Sequence, residues 1–168
     1  ERPLIYAGGG AVNAASTLTE IAERLDAAVI TTTAGKGVVP DSHPLCIGGG
    51  IVRPQARDFL GQADVILAIG TEMSETDSFV ERLTLNGQLI RIDIDSRKMN
   101  DLYPADIGII SDAGLAAQAL LSELSAEAQS HNTVNEVAVV RRALVDELTD
   151  SESRHIRMLD VLREILPS

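Results

Sequence analysis

The stretch Arg2-Pro3-Leu4-Ile5-Tyr6-Ala7-Gly8-Gly9-Gly10 constrains the fold more than any other in the chain. It reads as a short apolar strand running straight into three glycines, with a helical pattern directly behind it. Strand, glycine turn and helix together open a nucleotide-type α/β domain. The helix is predicted from near Asn13 or Ser16, because Ala14, Ala15, Leu18, Ile21, Ala22 and Leu25 recur at three- and four-residue steps. Asp26-Ala27 ends it, and Ala28 to Thr32 is a second, β-branched strand. A crossover of this size implies parallel pairing.

The rest of the chain repeats the theme. Val38 to Cys46 is irregular, and Gly48-Gly49-Gly50 reads as a loop. Pro54 suits the first turn of a helix that runs toward Ala63. Val65 to Gly70 is a near-continuous apolar run, as expected of a parallel strand covered on both faces. Gln88 to Asp95 and Ile107 to Ser111 are further strands. Asp112 opens a helix with Leu115, Ala116, Ala119, Leu120 and Leu124 on its predicted inner face. The expected fold is an open, doubly wound, mostly parallel α/β sheet of about six strands with helices on both faces.

The composition changes after Leu124. Residues 1–124 read as one α/β domain and 125–168 as a linker with a helical lead-out. Ser125 to Glu136 is the polar linker and Val137 to Leu148 a helix. Ile156 to Leu166 is an amphipathic helix stopped by Pro167. The chain stops just beyond it, as a piece of a longer polypeptide would. Glu1-Arg2-Pro3 leads directly into a strand, so no secretory leader is expected in this stretch.

A net charge of −11 argues against binding to nucleic-acid backbone, which needs clustered Lys and Arg. Trp is absent, so base-stacking platforms are not expected. No apolar run approaches the ~20 residues of a membrane span. Cys46 is the single cysteine, which rules out a disulfide framework and favours a reducing, cytoplasmic setting. His43, His131 and His155 are scattered and read as surface residues.

Ligands in such sheets lie beyond the C-terminal ends of the strands. The candidates there are Gly8, Gly9, Gly10, Thr33, Gly35, Lys36, Asp93, Asp95 and Asp112. Gly8 and Gly10 fit G-x-G, but Asn13 stands where a dinucleotide fingerprint has its third glycine. Gly35-Lys36-Gly37 has no Ser or Thr after the lysine, so it is not a phosphate-binding P-loop. Each glycine is therefore either a tight turn or a phosphate contact. Lys36 either meets a phosphate or is solvated. Asp93 and Asp95 fall two apart on one face of a strand, where a carboxylate accepts from ribose hydroxyls; in the other reading Asp95 caps the turn toward Ser96-Arg97. The acidic loop with Glu72, Glu75 and Asp77 is either solvated or a divalent-cation site.

In order, these landmarks resemble the central domain of thiamine-diphosphate-dependent enzymes. The match runs through Arg2–Gly10, Thr32–Pro40, Ala63–Thr71 and Ile90–Asp95, with Ser111-Asp112 where that family has Gly-Asp. The family contains acetolactate synthase and 2-oxo acid decarboxylases, built as homodimers or homotetramers. The resemblance implies that thiamine diphosphate and Mg²⁺ are held by two other domains of the same polypeptide. The fragment then carries no catalytic residue and is inactive alone. It also implies a crevice that holds FAD or ADP in some members, with contacts on Gly8, Gly9, Thr33, Gly35, Asp93 and Asp112. The synthases carry an arginine after the Gly70 strand, followed by Phe-Asp-Asp; this chain has Thr71-Glu72-Met73-Ser74-Glu75-Thr76-Asp77. Loss of that cation weakens anion binding and places the chain nearer the decarboxylases, including those acting on guanidino-oxo acids. The alternatives are a free-standing nucleotide-binding module and a non-binding structural spacer for subunit packing.

Overall fold

The computed structural model describes residues 2–125 and 130–166. Residues 126–129 of the expected linker, and the helix stop at Pro167, lie outside the described residues. The centre is β1 (Pro3–Ala7), which pairs in parallel with both β2 (Ala28–Thr31) and β4 (Val65–Ile69). β5 (Gln88–Asp93) and β6 (Ile107–Ile110) extend the sheet beyond β4, and β3 (Cys46–Gly48) extends it beyond β2. The result is a six-stranded parallel sheet in the order β3-β2-β1-β4-β5-β6.

Successive strand residues point to opposite faces, so the continuous apolar runs feed two cores. Ile5, Ala7, Val29, Leu67 and Ile69 face α1 (Ala15–Leu25) and α4 (Ala113–Glu123). Leu4, Tyr6, Ile30, Ile66 and Ala68 face the other way, toward α2 (Pro54–Leu60) and α5 (Thr133–Asp146). A one-turn α3 (Glu75–Ser78) and a 3-10 turn at Ser96–Asn100 carry the chain between the later strands. Pro54 sits in the first turn of α2, where its missing N–H costs nothing. Asp26 closes α1 in the left-handed region (φ 47), and its carboxylate accepts from the His131 and Thr133 N–H groups. That contact ties the end of α1 to the start of α5.

Four expectations need correction. The second glycine triplet is not all loop: Gly48 ends the edge strand β3, and its φ of +75 explains the glycine there. β5 stops at Asp93, so Asp95 does not share a strand face with it. Asp95 instead caps the Ser96–Asn100 turn by accepting from the Arg97 N–H. In α4, Ala116, Leu120 and Leu124 pack on the first core as expected, but the fully buried residues are Ala113 and Ala117, and Leu115, 66% exposed, and Ala119 lie outside that core. His43 is half-buried, with its side chain 3.2 Å from Glu23.

α5 begins at Thr133, earlier than expected, and buries Val137 and Val140 in the second core. α6 (Asp150–Ile165) begins with a capping box between Thr149 and Glu152, a spacing legible in the sequence as Thr-x-x-Glu. Glu152 also pairs with Arg53 beside α2. Bonds from the Thr149 backbone and hydroxyl, then from Arg53, hold its carboxyl down from 4.5 to about 2. A depressed carboxyl contributes stability that is fully present above its ordinary pKa and is lost as the pH falls through the folded value. The first turn of α6 is therefore expected to stay anchored above pH 4.5 and to detach as the pH approaches 2. Amide exchange across residues 149–153 against pH is the check, and Glu152→Ala, which removes both the capping acceptor and the partner of Arg53, should loosen the turn at neutral pH.

Candidate functional site

Strand order reverses between β1 and β4, and their C-terminal ends lie side by side. Open α/β sheets hold ligands at this point. A cleft of about 610 Å³ opens there, within the ~300–1,000 Å³ range of small-molecule sites. Gly8, Gly9 and Gly10 form its floor from the turn after β1, and Gly70, Thr71 and Glu72 come from the end of β4. Asp93 and Asp95 follow β5, Asp112 follows β6, and Thr32 and Ala34 follow β2.

The glycines are explained by the closeness of three turns. A Cβ on Gly10 would lie 2.9 Å from the Gly70 Cα, and one on Gly8 would lie 2.6 Å from the Thr71 Cβ. A Cβ on Gly35 would strike the end of β1, 2.9 Å from the Gly8 Cα. Backbone packs directly on backbone here, and no side chain fits between.

Four of the N–H groups in these turns serve the chain's own oxygens. Gly8 donates to the Ile69 carbonyl and Gly10 to the Gly70 carbonyl, both at 3.0 Å. Gly35 donates to the Thr32 hydroxyl at 3.0 Å. Thr33 donates to Asp77 Oδ1 at 3.4 Å, so an internal carboxylate sits at the loop after β2. Asp77 Oδ2 also accepts from the Ser74 hydroxyl at 3.1 Å. At the start of α4, Asp112 Oδ1 accepts from the Leu115 N–H at 3.1 Å.

The cleft is acidic. Glu72, Asp77, Asp93, Asp95 and Asp112 line it, against Lys98. Lys98 Nζ already lies 3.4 Å from Glu72 Oε2 and 3.9 Å from Asp101 Oδ2. Asp95 is gripped by Arg97 Nε at 3.0 Å and Arg97 Nη2 at 2.7 Å. That grip, with the Arg97 backbone bond, lowers its pKa from 3.8 to about 2. Asp95 therefore stays charged at neutral pH, and a lining of this sign opposes a diphosphate.

Of the residues singled out from the sequence, Gly8, Gly9, Gly10, Asp93, Asp95 and Asp112 come together on the cleft. Thr33, Gly35 and Lys36 are not on its lining, where their neighbours Thr32 and Ala34 stand. Lys36 pairs with Asp41 and is 66% exposed. Sequence reasoning missed Lys98 and the inward role of Asp77. A cation within one 3-10 turn of a strand end was the signal for Lys98. Asp77 had no local signal, because its partner Thr33 is 44 residues away.

These residues do not fit a metal–diphosphate site. Among the described residues, no group of three or more His, Cys, Asp or Glu is placed to hold a metal ion. Also among the described residues, no helix is long and apolar enough to cross a membrane.

The chain matches the model for the thiamine pyrophosphate enzyme central domain over residues 1–120. It belongs to the thiamine pyrophosphate enzyme family, as its central domain. It is 39% identical, over 99% of its length, to the Pseudomonas aeruginosa protein named "Probable 2-ketoarginine decarboxylase AruI". It is 32% identical over 98% of its length to a "Probable acetolactate synthase large subunit" from Methanocaldococcus jannaschii. It is 29% identical over 98% of its length to the pyruvate oxidase of Lactiplantibacillus plantarum. The chain spans only 30%, 30% and 28% of those three relatives.

Proposed function

We propose that this chain is the middle domain of a thiamine-diphosphate-dependent decarboxylase acting on a guanidino 2-oxo acid. The observation that carries this reading is the 39% identity over 99% of the chain to a protein named for 2-ketoarginine. In the intact polypeptide, thiamine diphosphate supplies the electron sink for loss of CO₂, and flanking domains hold it with Mg²⁺. This domain contributes scaffold and no catalytic residue, and it is inactive alone. The acetolactate-synthase-like carboligase is the competing class within the same family. A cytoplasmic homodimer or homotetramer belongs to the same proposal.

The family resemblance raises FAD or ADP as ligands of the cleft. Gly8, Gly9, Gly10, Asp93, Asp95 and Asp112 are the residues either would meet, with Thr33, Gly35 and Lys36 behind them. We propose that the cleft binds neither. The N–H groups of Gly8, Gly10, Thr33 and Gly35 are already engaged, Glu72 and Asp77 oppose a diphosphate, and Lys98 lies between Glu72 and Asp101. Each missing charge-assisted contact removes about 1.5–3 kcal/mol. Two such losses at the middle of that range, about 4.5 kcal/mol, reduce a micromolar site to one of about 2 mM.

Calorimetric titration of the intact polypeptide tests both parts. Thiamine diphosphate with Mg²⁺ should bind saturably, whereas ADP and FAD at about 1 mM should show no saturation and almost no shift in melting temperature. Absence of thiamine diphosphate binding defeats the enzyme reading. Saturable ADP or FAD binding that Gly10→Val abolishes defeats the scaffold reading of the cleft.

A further inference from the structure

A second depression of about 620 Å³ lies along the sheet between α4 and the face of β5 and β6, and meets the cleft at Ile92 and Ser111. Ile90, Ile107, Ile109, Leu115 and Ala119 line it. Its only polar side chains among the described residues are Ser111 and Glu123. It exists because α4 does not lie over the strand that leads into it. α4 turns back and packs on α1 and on the 3-10 turn Gly9–Ala14, which buries Ala113 and Ala117. β6 is left exposed along its whole length, and beside it Ile90 of β5 is only partly covered, whereas Ile92 is buried. β6 is also the edge of the sheet, and Ile107-Gly108-Ile109-Ile110 has none of the charges or prolines that protect an open edge.

We propose that this groove seats an apolar helix face from a flanking segment of the same polypeptide. The inference rests on the reading of the chain as the middle of a longer enzyme. Three observations choose that occupant. The relatives at 39% and 32% identity are about three times as long as this chain, which spans 30% of each. The lining is almost without charge, as in permanent interfaces rather than transient ones. A net charge of −11 on each copy opposes a second copy of this chain, whereas a covalently joined segment is present at high effective concentration. The chain's own α6 is not the occupant. Arg53–Glu152 holds it beside α2, on the opposite face of the sheet.

The test is thiol labelling of the intact polypeptide, read site by site by mass spectrometry. Leu115→Cys lies in the groove, and Val139→Cys, 70% exposed on α5, is the open control. Ala119→Cys is a second groove variant with a smaller change in volume. Cys46 is buried. In the native enzyme the groove thiols should react at least about tenfold more slowly than the control, and equally after denaturation, as for a site exposed only by opening. Equal native rates overturn the proposal. Protection that vanishes on dilution, together with a fall in assembly mass, also overturns it and assigns the groove to a second subunit. Labelling needs no cofactor or substrate. A protected groove in a protein without thiamine chemistry would therefore sink the proposed function and leave this inference standing.

Discussion

Arg91→Ala is expected to destabilise this domain by about 3–5 kcal/mol, the range for breaking a buried ion pair. Arg91 is 1% exposed in the middle of a six-residue strand, an unusual place for a guanidinium. It donates to Asp101 Oδ1 at 2.6 Å, to the Tyr103 carbonyl at 3.1 Å and to the Thr71 carbonyl at 3.2 Å. One side chain thus ties the loop after β4 to the connection between β5 and β6. Alanine would leave a cavity, two carbonyls without this donor, and the Asp101 carboxylate with only Lys98 at 3.9 Å and the Tyr103 N–H at 3.2 Å. Asp101 is 28% exposed and regains some hydration, so the lower half of the range is expected. Arg91→Lys should recover only part of the loss, since an ammonium cannot fork to three acceptors. Urea midpoints of the three proteins measure this, with an unchanged slope if the unfolded state is unaffected. The loops held by Arg91 carry Glu72 and Lys98, so the acidic cleft should lose definition before the sheet does.

Gly70→Ala should be nearly as damaging. Gly70 has φ +58, and a Cβ there would lie 2.6 Å from the Ala11 nitrogen and 2.8 Å from the Gly10 Cα. The left-handed backbone costs an L-residue about 1–2 kcal/mol. The overlap adds about 1–3 kcal/mol, because the struck atoms are backbone and cannot rotate away. Gly37→Ala separates the two causes. It has φ +86 but nothing within 4 Å of an added Cβ, so it should lose only the backbone share of about 1–2 kcal/mol. Equal losses at the two positions would mean that the turns after β1 and β4 are looser than described.

The sheet was readable where its strands are buried on both faces. β1 and β4 announce themselves as apolar runs, and the turn after each falls where expected; β5 is legible too but ends two residues early, at Asp93. β3 was not, because three residues ending in a glycine carry no periodicity. The expected inner face of α4 holds at Ala116, Leu120 and Leu124 and fails at Leu115 and Ala119, for a different reason. The helix is apolar on two sides: Ala113 and Ala117 pack on α1 and its preceding turn, while Leu115 and Ala119 line the open groove. Periodicity cannot rank two such faces. In the site, the glycines and Asp112 were legible because turns and caps are local chemistry. The Asp77–Thr33 and Arg91–Thr71 contacts were not, because they depend on which strands become neighbours. Those long-range contacts set Asp77 against the loop after β2 and hold the loop that carries Glu72 at the cleft.

The most direct measurement is CO₂ release by the intact polypeptide with 2-ketoarginine, with and without thiamine diphosphate and Mg²⁺. Release that requires thiamine diphosphate, and that is faster from 2-ketoarginine than from pyruvate, is the predicted result. No thiamine-dependent CO₂ release from either 2-oxo acid would contradict the account.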